Sequence, residues 1–378
     1  MRSLIAALCL LSCALFASAG SLPAALLLAP SAENPRNSEG DFIGLKDGRI
    51  LFIYTHFTGG SGDDATAHLA SRVSLDGGKT WSGEDVVVLA NDARYNIMSV
   101  SLLRLDDDRI AMLYLRKDDA DLCMPLLRYS TDEAATWPES IDCAAAFPGY
   151  YVVNNDRMIQ LADGRLVMPA ARHGIQGEPF RERAEALCLL SDDRGATWRI
   201  SQSRLEAPAE IRSGLQEPGV VQLKDGSLLM LCRTSGGCQY VSRSADGGET
   251  WSSAAPTGLA SPVSPATVQR IPSTGDLLLL WNDHTALPLE QRDKRTPLTA
   301  ALSKDEGKTW RVVKTLEDLA SGWYCYSAVH FTEDAVLLGY CAGDRTTGNG
   351  LDTTKVARLP VSGLYAGWES AAIIPMDP

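Results

Sequence analysis

Six times along the chain, a short polar turn is followed by a strongly apolar run. The copies are LKDGRILFIY from Leu45, LDDDRIAMLY from Leu105, LADGRLVMPA from Leu161, LKDGSLLMLC from Leu223, PSTGDLLLLW from Pro272 and TEDAVLLGYC from Thr332. An apolar residue or a turn former enters each copy, and Asp or Gly sits at the bend, so each reads as a β-hairpin. A second pattern, Ser-x-Asp-x-Gly-x-Thr-Trp, is interleaved with the first. It occurs at Ser74–Trp81, Ser130–Trp137, Ser191–Trp198, Ser244–Trp251 and Ser303–Trp310, with Ala134 replacing Gly in the second copy. The starts are 56, 61, 53 and 59 residues apart, too regular for chance. The Asp of each box is expected to close a tight turn on backbone amides, and the Trp to pack between neighbouring units. Six hairpins and five Asp boxes predict an all-β fold, a six-bladed β-propeller of four-stranded antiparallel blades. The sixth blade lacks a box and is expected to close the ring with terminal strands.

Hairpin geometry sorts the polar residues. Those entering the first strand and leaving the second lie together, opposite the turn. About nine residues before the turns stand Glu39, Ser99, Asn155, Glu217 and Cys325-Tyr326. Seven or eight residues after them stand His56, Arg116, Arg172, Arg233 and Asp283. This rim is the expected binding funnel, with two glutamates, three arginines, an asparagine and a tyrosine converging on it. His330 falls inside a strand and is expected to be structural, whereas His56 and His173 are rim candidates. The boxes are expected at the outer edge, away from the chemistry.

Charge narrows the partners. The chain carries 35 Lys+Arg against 47 Asp+Glu, a formal net charge of −12. That excludes the basic face of a nucleic-acid binder and confines any anion site to a focused arginine cluster. Residues 1–19 read as a signal peptide, with Arg2, an apolar stretch from Leu4 to Phe16, and Ala17-Ser18-Ala19 as cleavage site. Export to the periplasm or the extracellular space is the expected fate. The alternative is a lipoprotein anchored at Cys13, since Leu10-Leu11-Ser12-Cys13 is lipobox-like. Residues 20–378 form one expected domain, with no run long enough to span a membrane. Its seven cysteines allow at most three disulfides, and none has metal-knuckle spacing beside histidine.

The boxes on this repeat resemble the sialidase (neuraminidase) superfamily over essentially the whole chain after the leader. More specific are QEPGVVQLKDGSLLMLCR (Gln216–Arg233), YSAVHFTEDAVLLGY from Tyr326 and RTPLTAALSKDEGKTW from Arg295. The resemblance implies a nucleophilic Tyr326, its base Glu217, and a carboxylate clamp of Arg233, Arg295 and Arg36. It implies an acid/base aspartate at Asp63 or Asp64, of which Asp64 is taken first. Arg36-Asn37-Ser38-Glu39 stands where the family has Arg-Ile-Pro, about two residues further from the turn. The clamp's third member is therefore open between Arg36, Arg116 and Arg172, and Glu39 is an additional carboxylate. Asn155 is included among the substrate-binding residues.

The implied activity is that of a retaining exo-glycoside hydrolase that releases terminal sialic acid, or a related acidic sugar, from glycoconjugates. No cofactor or metal is expected, and the protein is expected to be a monomer acting on sialylated or other acidic glycans. The alternatives are a non-catalytic propeller that binds acidic glycans and an exported hydrolase or lyase for another acidic sugar.

Overall fold

The hairpins run as the turns dictate. A computed structural model describes residues 21–376. The leader of residues 1–19 and the Cys13 alternative lie outside the described residues. Strands Arg36–Gly44 and Ile50–Phe57 pair antiparallel, and four further strand pairs flank turns at equivalent places, from Asn96–Arg104 with Ile110–Asp119 to Gly322–Phe331 with Ala335–Asp344. In the third repeat the short strand Ile159–Gln160 takes the turn-proximal part of this pairing with Leu166–Ile175. Each pair is extended outward by a third strand and then a fourth, giving six successive antiparallel units. The second strands are largely buried, Leu277–Trp281 along its whole length. Strands covered on both faces by neighbouring units read as continuous apolar runs rather than alternating ones.

The chain ends complete the last two units. Ala24–Leu28 pairs with Thr354–Pro360 as the outer strand of the sixth, and Ala372–Pro375 pairs with Thr309–Glu317 at the edge of the fifth. No helix among the described residues is long and apolar enough to cross a membrane. The seven cysteines among the described residues are all thiols.

All five boxes form one hydrogen-bonded turn. The Ser hydroxyl donates to the Asp carboxylate at 2.7–2.9 Å and accepts the amide of the fifth box residue at 2.7–2.9 Å. The Thr amide donates to the same carboxylate at 2.9 Å. The fifth residue is left-handed in every box: φ is 83, 87, 90 and 76° at Gly78, Gly195, Gly248 and Gly307, and 65° at Ala134. Only Gly adopts this region without steric cost, which explains the pattern and marks Ala134 as strained. The box tryptophans pack between units: Trp251 joins the apolar cluster of the third and fourth units, and Trp310 that of the fourth and fifth.

The inner strands carry a different irregularity. Register slips between Ser38 and Asp41, Met98 and Ser101, Gln216 and Gly219, and Cys325 and Ala328. At each slip a non-glycine residue has positive φ: Glu39 (54°), Ser99 (60°), Glu217 (45°) and Tyr326 (56°). A bulge re-aims a side chain that regular pleating would send sideways. Below the bulges, polar side chains tie the inner strands of different units together. Asp41 accepts the Leu102 amide at 2.7 Å, Asp156 accepts the Val329 amide at 2.9 Å, and Arg157 donates to the Ala266 carbonyl at 2.9 Å.

Candidate active site

Two bulges bring Tyr326 and Glu217 together. The Tyr326 hydroxyl donates to Glu217 Oε1 at 3.1 Å, and Glu217 Oε2 accepts from Arg233 Nη1 at 2.5 Å. Arg233 lies across the hairpin, opposite Gln216 in register. The Arg295 guanidinium sits 5.3 Å from the centre of the Tyr326 ring and 5.2 Å from that of Trp323. Burial pushes the Glu217 carboxyl upward, but Arg233, Arg295 and the hydrogen bonds from Arg233 and Tyr326 hold it below the ordinary range. Burial, reinforced by the Glu217 charge, keeps the Tyr326 phenol well above its ordinary value. At rest the phenol is therefore neutral and the carboxylate charged.

Arg36 completes the cluster. Its longer spacing from the turn does not turn it away, because an offset of two residues returns a strand side chain to the same face. Ser38, two positions on, is small and accepts from Arg36 Nε at 3.0 Å. Arg36 Nη1 donates to Asp63 at 2.6 Å, and Nη2 lies 3.7 Å from Glu39 Oε2. Several buried atoms of these groups have no partner among the described residues: Arg36 Nη2, Arg233 Nε, Arg295 Nε and Nη1, and Glu39 Oε2.

A cavity lined by Glu39, Asp63, Ser99, Tyr150, Glu217 and Tyr326 among others borders this cluster, and Arg36, Arg233 and Arg295 stand behind its lining, in contact with Asp63, Glu217 and Tyr326. Of the two adjacent aspartates, Asp63 faces it. Asn96 donates to the backbone of Asp63 at 2.8 Å and of Ala65 at 2.9 Å, which fixes this part of the 58–66 connection. Asp64 instead pairs with Lys117. Burial opposes ionisation of Asp63, yet Arg36, Lys117 and Arg295 outweigh it and hold its carboxyl below the usual range.

Four of the residues selected from the sequence take other places. Asp64 is corrected to Asp63 as the cavity aspartate, since neighbouring loop residues point apart. Arg116 pairs with Asp118 at 3.0 Å and does not line the cavity. The side chain on the inner side is the next one, Lys117, whose Nζ is 5.1 Å from the Tyr150 ring centre. A one-residue phase error reverses the face of a strand. Arg172 is matched by Glu185, its register partner on the adjacent strand, with Nε to Oε1 at 2.7 Å. Asn155 donates to the Gly40 and Tyr326 carbonyls at 2.8 and 2.9 Å, so it holds two bulges rather than a ligand.

The histidines lie apart from the cavity lining. His56 pairs with Asp85 and stacks on His68, and His173 bonds the Arg181 carbonyl at 2.8 Å. His330 packs against Phe42, as a structural residue should. Tyr150 and Lys117 were not selected from the sequence, although Lys117 adjoins a residue that was.

The model of the BNR repeat-like domain matches residues 102–339, and the chain belongs to that family. More particularly, the curated relatives to which it is similar are sialidases. A sialidase of Micromonospora viridifaciens is 26% identical over 305 residues, covering 72% of this chain and 44% of that protein. An anhydrosialidase of Macrobdella decora is 31% identical over 138 residues, covering 34% of this chain and 16% of that protein. The chain thus spans less than half the length of either relative. The Trypanosoma rangeli sialidase, solved as a covalent intermediate with 2,3-difluorosialic acid, superposes with a TM-score of 0.68 at 18% identity, over 87% of this chain and 55% of that one. A Dyadobacter fermentans protein described as of unknown function superposes at 0.69 with 16% identity, over 94% of this chain and all of that one. At such identities the structural likeness carries the fold alone.

Proposed function

We propose that the chain is a six-bladed β-propeller that hydrolyses a terminal sialic acid, or a related acidic sugar, from glycoconjugates with retention of configuration. The observation that carries this reading is the Tyr326–Glu217 hydrogen bond set among three arginines whose buried N–H groups lack partners. Guanidinium groups hold a carboxylate through paired, planar hydrogen bonds, and buried unpaired donors favour a ligand that satisfies them.

The nucleophile must attack an anomeric carbon that already bears a carboxylate. A neutral phenol avoids the repulsion an anionic nucleophile would meet. In the resting site, transfer of the Tyr326 proton to Glu217 is uphill, so the phenol ionises only as positive charge develops at the anomeric carbon. Glu217 then receives the proton, and the Tyr326 oxygen forms the glycosyl bond as the leaving oxygen departs. Asp63 is the acid that protonates that oxygen, and afterwards the base that activates water. Asp63 is ionised while Arg36 holds it. A substrate carboxylate that engages Arg36 weakens this pairing and raises the affinity of Asp63 for a proton.

The same reading takes residues 1–19 as a cleaved export signal and residues 20–378 as one monomeric domain. The test is release of free nonulosonic acid from sialyl conjugates by the purified protein, abolished in Tyr326→Phe. Glycan binding without any product would select the non-catalytic propeller instead. A different acidic product on a glycan panel would select another sugar.

A further inference from the structure

Glu39 occupies the same kind of bulge as Glu217 and Tyr326 and lines the same cavity. Its Oε2 is buried and unpartnered, and it faces the equally unpartnered Arg36 Nη2 across 3.7 Å, too far for a hydrogen bond. Two facing polar atoms held apart in this way leave each of them a bond for a third group. The charges decide what that group is. With Glu39 ionised, the carboxylates of Glu39, Asp63 and Glu217 balance the guanidiniums of Arg36, Arg233 and Arg295, and Lys117 is already matched by Asp64. With Glu39 protonated, one positive charge is left for an anion, and the carboxyl group becomes a donor.

We propose that Glu39 is a specificity-determining residue that acts in its carboxylic-acid form, donating a hydrogen bond to the ligand carboxylate held by Arg36. This deepens the function proposed above and rests on it. Burial is the main reason the Glu39 carboxyl is pushed up to about 7; Arg36 opposes this, and Asp63, Glu217 and Cys325 add to it. The other ionisable groups facing Glu39 are Tyr326, which lines the cavity, and the Cys123 and Cys341 thiols, each of which feels its charge. Cys325 needs a control of its own, because Cys341 and Arg295 overcome the effect of burial and bring its thiol to about 7 as well.

The experiment is calorimetric binding of N-acetylneuraminic acid, and of its uncharged methyl ester, between pH 6 and 9. In the wild type, affinity for the acid is expected to fall towards tenfold per pH unit above about pH 7, because binding requires the proton. The ester should show no such slope, nor should Glu39→Gln with the acid, while Cys325→Ser should keep it. A flat wild-type profile, a slope retained in Glu39→Gln or with the ester, or a slope lost in Cys325→Ser overturns the role of Glu39 and leaves the proposed function standing. Absence of binding to any acidic sugar at every pH overturns both. If Glu39→Gln does not fold, the contrast between acid and ester in the wild type decides alone.

Discussion

The outer boxes and the inner bulges are two repeated devices that rely on left-handed backbone, and they use it in opposite ways. In the boxes two successive residues are left-handed, the fourth being Gly, Glu or Arg and the fifth Gly in four copies of five, and the Ser, Asp and Thr side chains bond within their own turn. In the bulges it is Glu39, Ser99, Glu217 or Tyr326, and the side chains of Glu217 and Tyr326 meet a partner from another unit. Identical residues mark positions where each unit solves the same folding problem. Differing residues, placed at a backbone cost of roughly 1–3 kcal/mol each, mark positions where the units jointly build one site. Both devices carry left-handed non-glycine residues, Glu133, Ala134, Arg194 and Glu306 in the boxes among them, so it is what the side chains reach, not strain, that separates the candidate site from the scaffold.

Substitution on each side of this contrast tests it. Tyr326→Phe should lower kcat by at least about 10³-fold with circular dichroism unchanged, since the proposed mechanism gives Tyr326 the covalent bond. Asp63→Asn should cost roughly 10²–10⁴-fold in turnover on substrates with poor leaving groups, whereas Asp64→Asn should stay close to wild type. Equal losses from both would return the acid/base role to the open choice between them.

In the outer ring, Asp305→Ala removes the acceptor for the Ser303 hydroxyl and for the Thr309 amide and hydroxyl. It should lower stability by about 2 kcal/mol in denaturant titration, with kcat of the folded fraction unchanged. The smallest effect is a gain. Ala134→Gly relieves the left-handed alanine at φ 65° and should stabilise by about 0.5 kcal/mol, the relief exceeding the added chain entropy.

The parts of this molecule that could be read from its sequence are those phased by the Asp-Gly turns. Counting from a turn places Glu39, Ser99, Glu217 and Tyr326 at equivalent positions, and the structure has all four at bulges. Where no turn sets the phase, residues could not be told from their neighbours. Asp63 and Asp64 differ only in how a nine-residue connection is pinned by Asn96 and Arg36. At Arg116 the count of seven or eight residues after the turn is loose by one, and one-residue alternation puts Lys117 inside. Asn155 has the position of a rim residue, but its partners Gly40 and Tyr326 lie 115 and 171 residues away, beyond any local pattern. The same holds for Asp41, Asp156 and Arg157, whose partners belong to other units.

The strand Ala24–Leu28 has a consequence for the order of assembly. It is the first of the described strands to be made, and its partner Thr354–Pro360 the last but one, in the sheet that carries Tyr326. The sheet that carries Tyr326 therefore joins strands far apart in the chain, and only the fifth unit, edged by Ala372–Pro375, receives a strand later. Under the proposed function, turnover would double as a reporter of this pairing: removing Ala24–Leu28 leaves all five boxes in place and takes away the outer strand of the sheet that carries Tyr326.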